Sequence, residues 1–252
     1  MKKRRKNGFF KIISILFVFI FLLCVLINHY QKSPENIIKN FARKNGISEN
    51  EYPRELKELL KRNPETKDFV LNFPFNKDTE FQADLSEHLN KNKIPLLLQW
   101  DERWGYKEYA GEFFGLSGCG PTCLSMVLVY LHNDAKYTPL YVADFATKNS
   151  YSVNGSGSAW ALIYEGGEKL GLKVTELSKD EKNVIKHLRE NNPVICIMGA
   201  GHFTSGGHFI VISQYSDGFV TVNDPNSIKN SNKKWQLSEI LKEAKNLWVC
   251  TK

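Results

Sequence analysis

Two cysteines four residues apart open an apolar run in SGCGPTCLSM, residues 117–126. Thiols so placed can ligate zinc, pair as a disulfide, pack as small hydrophobes or attack an electrophilic carbon. Structural zinc takes four ligands, typically from two paired clusters, and the sequence holds no second pair of that spacing. Neither a metal nor any other cofactor is expected. A disulfide across four residues of one helix is geometrically awkward and closes almost no loop. Position favours a nucleophile. Gly118 and Gly120 flank Cys119, and Pro121 suits the first turn of a helix. Cys119 is therefore expected at a helix N-terminus, where backbone N–H groups and the positive dipole end favour the thiolate. The two glycines are expected to leave room for a substrate backbone. Cys123, one turn in beside Leu124 and Val127, is expected to pack as a small hydrophobe.

A nucleophilic thiol needs a base. Of six histidines, His29 falls in an apolar leader, His88 in a polar stretch, and His132 and His187 at polar helix ends. His202 and His208 remain, both in GAGHFTSGGHFIVI, residues 199–212. His208 opens an apolar strand, a rigid mount for a base, whereas His202 sits among glycines. The third member orients the imidazole. HFIVISQY (208–215) and FVTVND (219–224) read as a hairpin joined by Ser216, Asp217 and Gly218. A three-residue loop ending in glycine pairs Tyr215 with Phe219 and brings Asp224 level with Ile210. Side chains alternate along a strand, so Asp224 then shares the face of His208. A two-residue loop would put it opposite Val211, on the other face. The oxyanion formed by attack on a carbonyl also needs donors. The N–H of Cys119 is one, and the amide of Gln99, after the apolar run IPLLL, is the natural second.

The elements that must hold these groups are legible in outline. Residues 34–46 read as a helix with Pro34 in its first turn and Gly46 at its end, and residues 52–74 as one or two helices broken at Pro64. Helices are expected over 121–131, 138–149 and 158–171, with loop over 101–118. The 121–131 helix places Leu124, Val127, Leu128 and Leu131 on one face. Short β-branched runs at 173–178, 193–198, 208–215, 219–224 and 246–251 read as strands. Helices first and strands after indicate an α+β fold. Trp100, Trp104, Tyr106, Tyr109 and Trp160 are candidates for a cleft lining or for core.

The net charge of +7 is local. Lys2, Lys3, Arg4, Arg5, Lys6 and Lys11 hold six of 34 basic residues, leaving 28 against 27 acidic ones. A nearly neutral body has no basic face for nucleic acid, so none is expected as a partner. The basic block leads into residues 9–30, long and apolar enough for a membrane span of roughly 20 residues, with no A-x-A cleavage pattern after it. The reading is a basic cytoplasmic leader (1–8), an uncleaved transmembrane signal-anchor (9–30), a helical stalk or cap (31–92) and a main domain (93–252). Positive residues stay inside, so the main domain is expected outside the cell membrane, held by a single pass. At most one bridge can form among the three cysteines left outside once Cys119 is a working thiol.

Four separated motifs now stand in order: Q-W-D-x-R-W-G-Y (99–106), G-C-G-P-T-C-L-S-M (118–126), F-T-x-x-G-H-F-I-V (203–211) and N-D-P-N-S (223–227). Together they resemble the peptidase C39-like domain of cysteine peptidase family 39, whose best-known members are bacteriocin-processing double-glycine peptidases. The resemblance covers about residues 94–250. It implies a papain-like cysteine peptidase fold, a helical part followed by an antiparallel sheet. It carries the nucleophile to Cys119, the base to His208, the orienting acid to Asp224 and the oxyanion donor to Gln99. The chain looks more like the membrane-anchored or secreted branch found in Gram-positive bacteria. The expected activity is thiol-dependent hydrolysis of a peptide or amide bond in a peptide, protein or cell-wall peptide. Acyl transfer by the same triad, or a non-catalytic surface binding module, are the alternatives.

Overall fold

The computed structural model describes residues 17–22 and 33–252. Residues 17–22 are helical and exposed. The basic leader and the rest of the expected anchor lie outside the described residues. Among the described residues, no helix is long and apolar enough to cross a membrane. The chain divides into two compact units, residues 1–74 and 75–252.

In the first unit, α1 (Pro34–Asn45) begins at Ser33, whose hydroxyl accepts from the Asn36 N–H at 3.3 Å, and ends at Gly46 with φ 69°. Both ends are those the sequence marks, because Ser satisfies an orphan N–H and Gly takes the left-handed cap. α2 (Arg54–Arg62) buries its stripe of Leu56, Leu59 and Leu60. The break falls at Asn63–Pro64, where proline cannot continue the hydrogen-bond ladder. α3 (Lys67–Asn76) follows and carries Pro74 within it. The Tyr52 hydroxyl donates to the Leu71 carbonyl at 3.1 Å, so the expected stalk folds back on itself.

The second unit is framed by a six-stranded antiparallel sheet, spatial order β5–β10–β6–β7–β8–β9. Its strands are β5 (Lys173–Glu176), β6 (Val194–Met198), β7 (His208–Ser216), β8 (Phe219–Asn223), β9 (Lys234–Trp235) and β10 (Ala244–Thr251). Two small hairpins precede it, β1 (Glu108–Tyr109) with β2 (Glu112–Phe113), and β3 (Ser152–Val153) with β4 (Gly157–Ser158). β6 reads VICIM without alternation because both its faces are covered. On one face Ile195, Ile197, Phe209 and Val211 join the core of α4 (Cys119–His132) and α5 (Pro139–Lys148). On the other, Val194, Cys196, Met198, Ile210 and Ile212 join α6 (Glu181–Arg189) and α8 (Leu237–Glu243). Mixed helices and antiparallel sheet make this the α+β architecture that the sequence indicates.

Cys196 and Cys250 belong to the two different core layers, on opposite faces of the sheet. Their Cβ vectors point apart, so they cannot be bridged. Cys119, Cys123, Cys196 and Cys250 are all free thiols.

The β7–β8 hairpin corrects the expected loop. Ser216 pairs with Phe219, so the loop has two residues, Asp217 and Gly218, at φ 53° and 85°. Two consecutive positive φ values are those of a type I′ turn, whose twist suits adjacent strands. Taken alone, that loop would turn Asp224 to the wrong face. A bulge at Ser213 restores the phase, because Gln214 pairs with Thr221 but Ile212 with Val222 and Val211 with Asn223. One register step further, Asp224 is level with Ile210 and shares the face of His208. Gly218→Ala should lower stability by about 1 kcal/mol, the cost of an L side chain in the left-handed region, read as a lower urea midpoint at unchanged slope.

Four elements differ from expectation. α6 and α8 lie between strands and break the segregation of helices from sheet. Each is short and polar outside, with Val184 and Leu188 or Leu237, Ile240 and Leu241 as its buried residues, too few to mark a period. The expected helix at 158–171 opens instead as β4 and a turn, continues as a π-helical run Leu162–Gly166, and closes over Gly167–Lys169. Its glycines serve close packing: a Cβ at Gly167 would meet Val174 at 2.9 Å. Finally, α4 begins at Cys119 rather than at Pro121.

Candidate active site

Cys119 is the first residue of α4, following a turn over Phe114–Ser117. The Gly118 N–H donates to the Phe114 carbonyl at 2.8 Å, and the Thr122 hydroxyl donates to the Gly118 carbonyl at 2.7 Å. These bonds seat the helix start. The two flanking glycines do not open the thiol to a substrate backbone, as expected from sequence; they admit protein. A Cβ at Gly118 would lie 2.4 Å from the Phe114 ring, and one at Gly120 would lie 2.6 Å from the Ser158 hydroxyl. Ser158 in turn bonds the Tyr109 hydroxyl at 2.7 Å. The small hairpins thus lock together over the start of α4.

The Cys119 thiol meets the His208 imidazole and the backbone N–H groups of Phe209 and Gly120. Burial, the largest single effect, pushes its pKa up, but the His208 hydrogen bond and charge with those two N–H groups outweigh it and leave the thiol below its ordinary value. Cys123 has no such partners. It is fully buried, and burial followed by the nearby Cys119 and Asp224 charges pushes it well above the ordinary thiol value. The two cysteines of one motif therefore have opposite chemistry.

His208 is 6% exposed and opens β7. Its Nε2 bonds Asp224 Oδ1 at 2.7 Å, leaving Nδ1 for the thiol. Burial alone would lower the imidazole pKa; the Asp224 charge and hydrogen bond, with Cys119, reverse that and raise it. Asp224 is 1% exposed. Its Oδ1 also accepts from the Asn226 N–H at 2.9 Å, and its Oδ2 accepts from Asn230 Nδ2 at 2.8 Å. A buried carboxylate demands such donors.

Gln99 is 3% exposed, and its Nε2 donates to the Gly115 carbonyl at 2.8 Å. That bond leaves one N–H of the amide uncommitted, while Oε1 is buried without a partner. The segment carrying Gln99 is sewn to the Asp224 loop. The Gln99 N–H donates to the Pro225 carbonyl at 2.8 Å, Trp100 Nε1 to the Asn226 carbonyl at 3.1 Å, and Asn223 Nδ2 to the Pro95 carbonyl at 2.8 Å.

His202, the other histidine of the glycine-rich stretch, is engaged elsewhere: Nδ1 meets Glu243 Oε1 at 2.5 Å and its ring packs on Trp235. Of the aromatic candidates, Trp104, Tyr106 and Tyr109 are core. Trp160, 42% exposed, packs over buried Trp248, so it alone of the five stands well into solvent. Among the described residues, no group of three or more His, Cys, Asp or Glu side chains could hold a metal ion. Sequence reasoning missed Asn226 and Asn230, although both lie in or just past N-D-P-N-S; only coordinates show which amides turn toward the carboxylate.

The site thus gathers a thiol at a helix start, an imidazole at a strand start that lowers the thiol pKa, and a carboxylate hydrogen-bonded behind that ring. The model of the Peptidase_C39 like family matches residues 91–252, and the chain belongs to that family, which implies cysteine peptidase chemistry. Solved structures similar at low identity include three peptidases. The peptidase domain of Streptococcus ComA, a bifunctional ABC transporter of a quorum-sensing pathway, is 18% identical over 54% of this chain and 92% of that one, with TM-score 0.43. A putative C39-like peptidase of Bacillus anthracis is 15% identical over 68% and 97%, with TM-score 0.43. A double glycine motif protease from an AMS/PCAT transporter, solved with its leader peptide, is 16% identical over 64% and 95%, with TM-score 0.40. No curated protein matches the chain.

Proposed function

We propose that the protein is a papain-like thiol hydrolase of peptide or amide bonds, with Cys119 as nucleophile, His208 as base and acid, Asp224 as orienting carboxylate and Gln99 as oxyanion donor. One observation carries the reading: the His208 ring bonds Asp224 at 2.7 Å through Nε2 and interacts with the Cys119 thiol, whose pKa it lowers. In the resting enzyme the proton lies on His208 and Cys119 is a thiolate, held by the N–H groups at the helix start. The thiolate adds to the substrate carbonyl. The Cys119 N–H and the free N–H of the Gln99 amide stabilise the oxyanion. His208 gives its Nδ1 proton to the leaving amine, and the thioester forms. His208 then takes a proton from water as it attacks, and the carboxylic acid leaves with the thiolate restored. Asp224 keeps Nε2 protonated throughout and so fixes which nitrogen faces the sulfur.

The substrate class is a peptide: a free peptide, a protein or a cell-wall peptide. The apolar run at 9–30 behind a basic leader supports a single-pass anchor with this unit outside the cell membrane, residues 93–252 forming the peptidase domain.

The test is alkylation of the thiol by iodoacetamide across pH, with the labelled residue identified by mass spectrometry. Labelling should vanish in Cys119→Ala and persist in Cys123→Ala. The wild-type rate should fall clearly less from pH 8 to pH 6 than the about 100-fold expected of an ordinary thiol of pKa about 8.5. Labelling that survives Cys119→Ala, or an ordinary thiol profile, would sink this assignment.

A further inference from the structure

Asp224 has a third partner that the four-residue mechanism does not use. Its inner oxygen is held by His208 and by the Asn226 N–H. The outer oxygen, Oδ2, is held by a side chain from α7 (Ile228–Asn232): Asn230 Nδ2 donates to it at 2.8 Å. A carboxylate is a two-fold rotor about its χ2 bond, and one held only at its inner oxygen can swing. A donor on the outer oxygen fixes the plane.

The rest of α7 serves the same contact. Ser227 caps it by accepting the Asn230 N–H at 3.1 Å. The Ser231 hydroxyl accepts the Asp224 N–H at 2.9 Å, tying the helix to the backbone that bears the carboxylate. The Asn230 carbonyl accepts from Trp235 Nε1 at 3.0 Å. Trp235 is 2% exposed, and Phe203 packs on it with ring centroids 4.6 Å apart. Phe203 and His202 belong to the loop that delivers His208. Asn230 thus stands where the acid's helix and the base's loop are braced on one tryptophan.

We propose that Asn230 is a positioning residue of the thiol site, fixing the plane of the Asp224 carboxylate through its outer oxygen. The inference rests on the catalytic reading of Cys119, His208 and Asp224. The titratable groups around Asp224 are His208 from β7 and the thiols Cys119 and Cys123 from α4. Lys229 and Lys233, beside Asn230, are exposed to solvent, and Lys233 lies over the Trp235 ring at 3.5 Å. Removing the Asn230 donor leaves the Asp224 carboxylate free to turn about its side-chain bond and weakens its hydrogen bond to His208. The support that Asp224 gives the His208 imidazolium falls, and with it the pull that lowers the Cys119 thiol pKa. The acid limb of Cys119 reactivity moves up.

Two substitutions separate this role from packing. Asn230→Ala removes the donor. Asn230→Asp keeps the shape but sets an acceptor against the outer oxygen in place of the donor, which pushes the carboxylate further out of its plane. The backbone groups of residue 230 that bond Ser227 and Trp235 are kept in both. The pH profile of iodoacetamide alkylation at Cys119 is the readout, with thermal unfolding alongside. The acid midpoint should rise by about half a pH unit in Asn230→Ala and by about one unit or more in Asn230→Asp, with peptide turnover at pH 6 falling about tenfold in the latter. Lower thermal stability with an unmoved midpoint in both variants would reduce Asn230 to a packing residue and overturn the proposal. An ordinary thiol profile in the wild type would instead overturn the catalytic reading beneath it, so the two failures are distinct.

Discussion

Cys119→Ala and His208→Ala should each lower peptide turnover by about 10⁴–10⁶-fold, and the double variant should be no worse than the poorer single one. The thiolate is the bond-forming group, so its loss leaves only the oxyanion donors and substrate binding to help water. The imidazole sets the thiolate state and supplies the proton for the leaving amine, so its loss stops the same two steps. Groups that act as one unit fail as one unit. The two variants nevertheless differ in labelling. Cys119→Ala has no reactive thiol, whereas His208→Ala keeps the sulfur but removes the partner that lowers its pKa. The thiol then returns to or above its ordinary range, since burial remains. Alkylation at pH 6 should fall about 100-fold or more, and recover as pH rises. Both variants should fold. Cys119 and His208 are the first residues of α4 and β7, and Cys119 only packs against the edge of the layer formed by Leu124, Val127 and Val211. Circular dichroism would verify that, with a lower unfolding midpoint in His208→Ala alone, because the buried Asp224 carboxylate then loses a donor. Substantial turnover in either variant, or a double variant far worse than both, would mean that the chemistry runs through other groups.

Composition and local spacing carried much of this site. The glycines, the proline and the apolar spacing after Cys119 mark a helix start, and a helix start gives a thiol a distinct chemistry from one a turn further in. His208 is legible because it opens an unbroken apolar run. The acid was harder. Its face depends on the parity of the hairpin, and the parity depends on both the loop length and the bulge at Ser213. The three-residue loop read from Ser216, Asp217 and Gly218 is wrong by one residue, and the unmarked bulge supplies that residue back. A bulge has little signature in a run such as VISQY, because it is fixed by what the strand must reach rather than by its own residues. The flanking glycines misled in another way: sequence says that no side chain is there, but not whether substrate, Phe114 or Ser158 fills the space. α6 and α8 were illegible because each buries only two or three side chains, below what a 3.6-residue period needs in order to show.

Asp224→Asn should cost about 10²–10⁴-fold in turnover, and the hydrogen bonds around it say why an amide is no substitute. The inner oxygen is pinned by two donors, His208 Nε2 and the Asn226 N–H. An amide must therefore keep its oxygen inside and turn its NH₂ outward, toward Asn230 Nδ2, where the carboxylate now accepts at 2.8 Å. Donor then faces donor, and a buried polar group left unpaired costs about 1–3 kcal/mol. The imidazolium also loses its counter-charge. Because Asp224 holds the His208 pKa up against burial, the imidazole should give up its proton at lower pH, and the alkaline limb of kcat/KM should move down. The clash and the charge can be separated by adding Asn230→Asp to Asp224→Asn. The outer hydrogen bond is then restored with its direction reversed, so unfolding should return toward the wild-type midpoint. Turnover should stay low, because the negative charge now sits one hydrogen bond further from the ring. Recovery of both stability and turnover in the double variant would mean that the carboxylate only fills space and accepts a bond, and that its charge next to His208 has no part in the reaction.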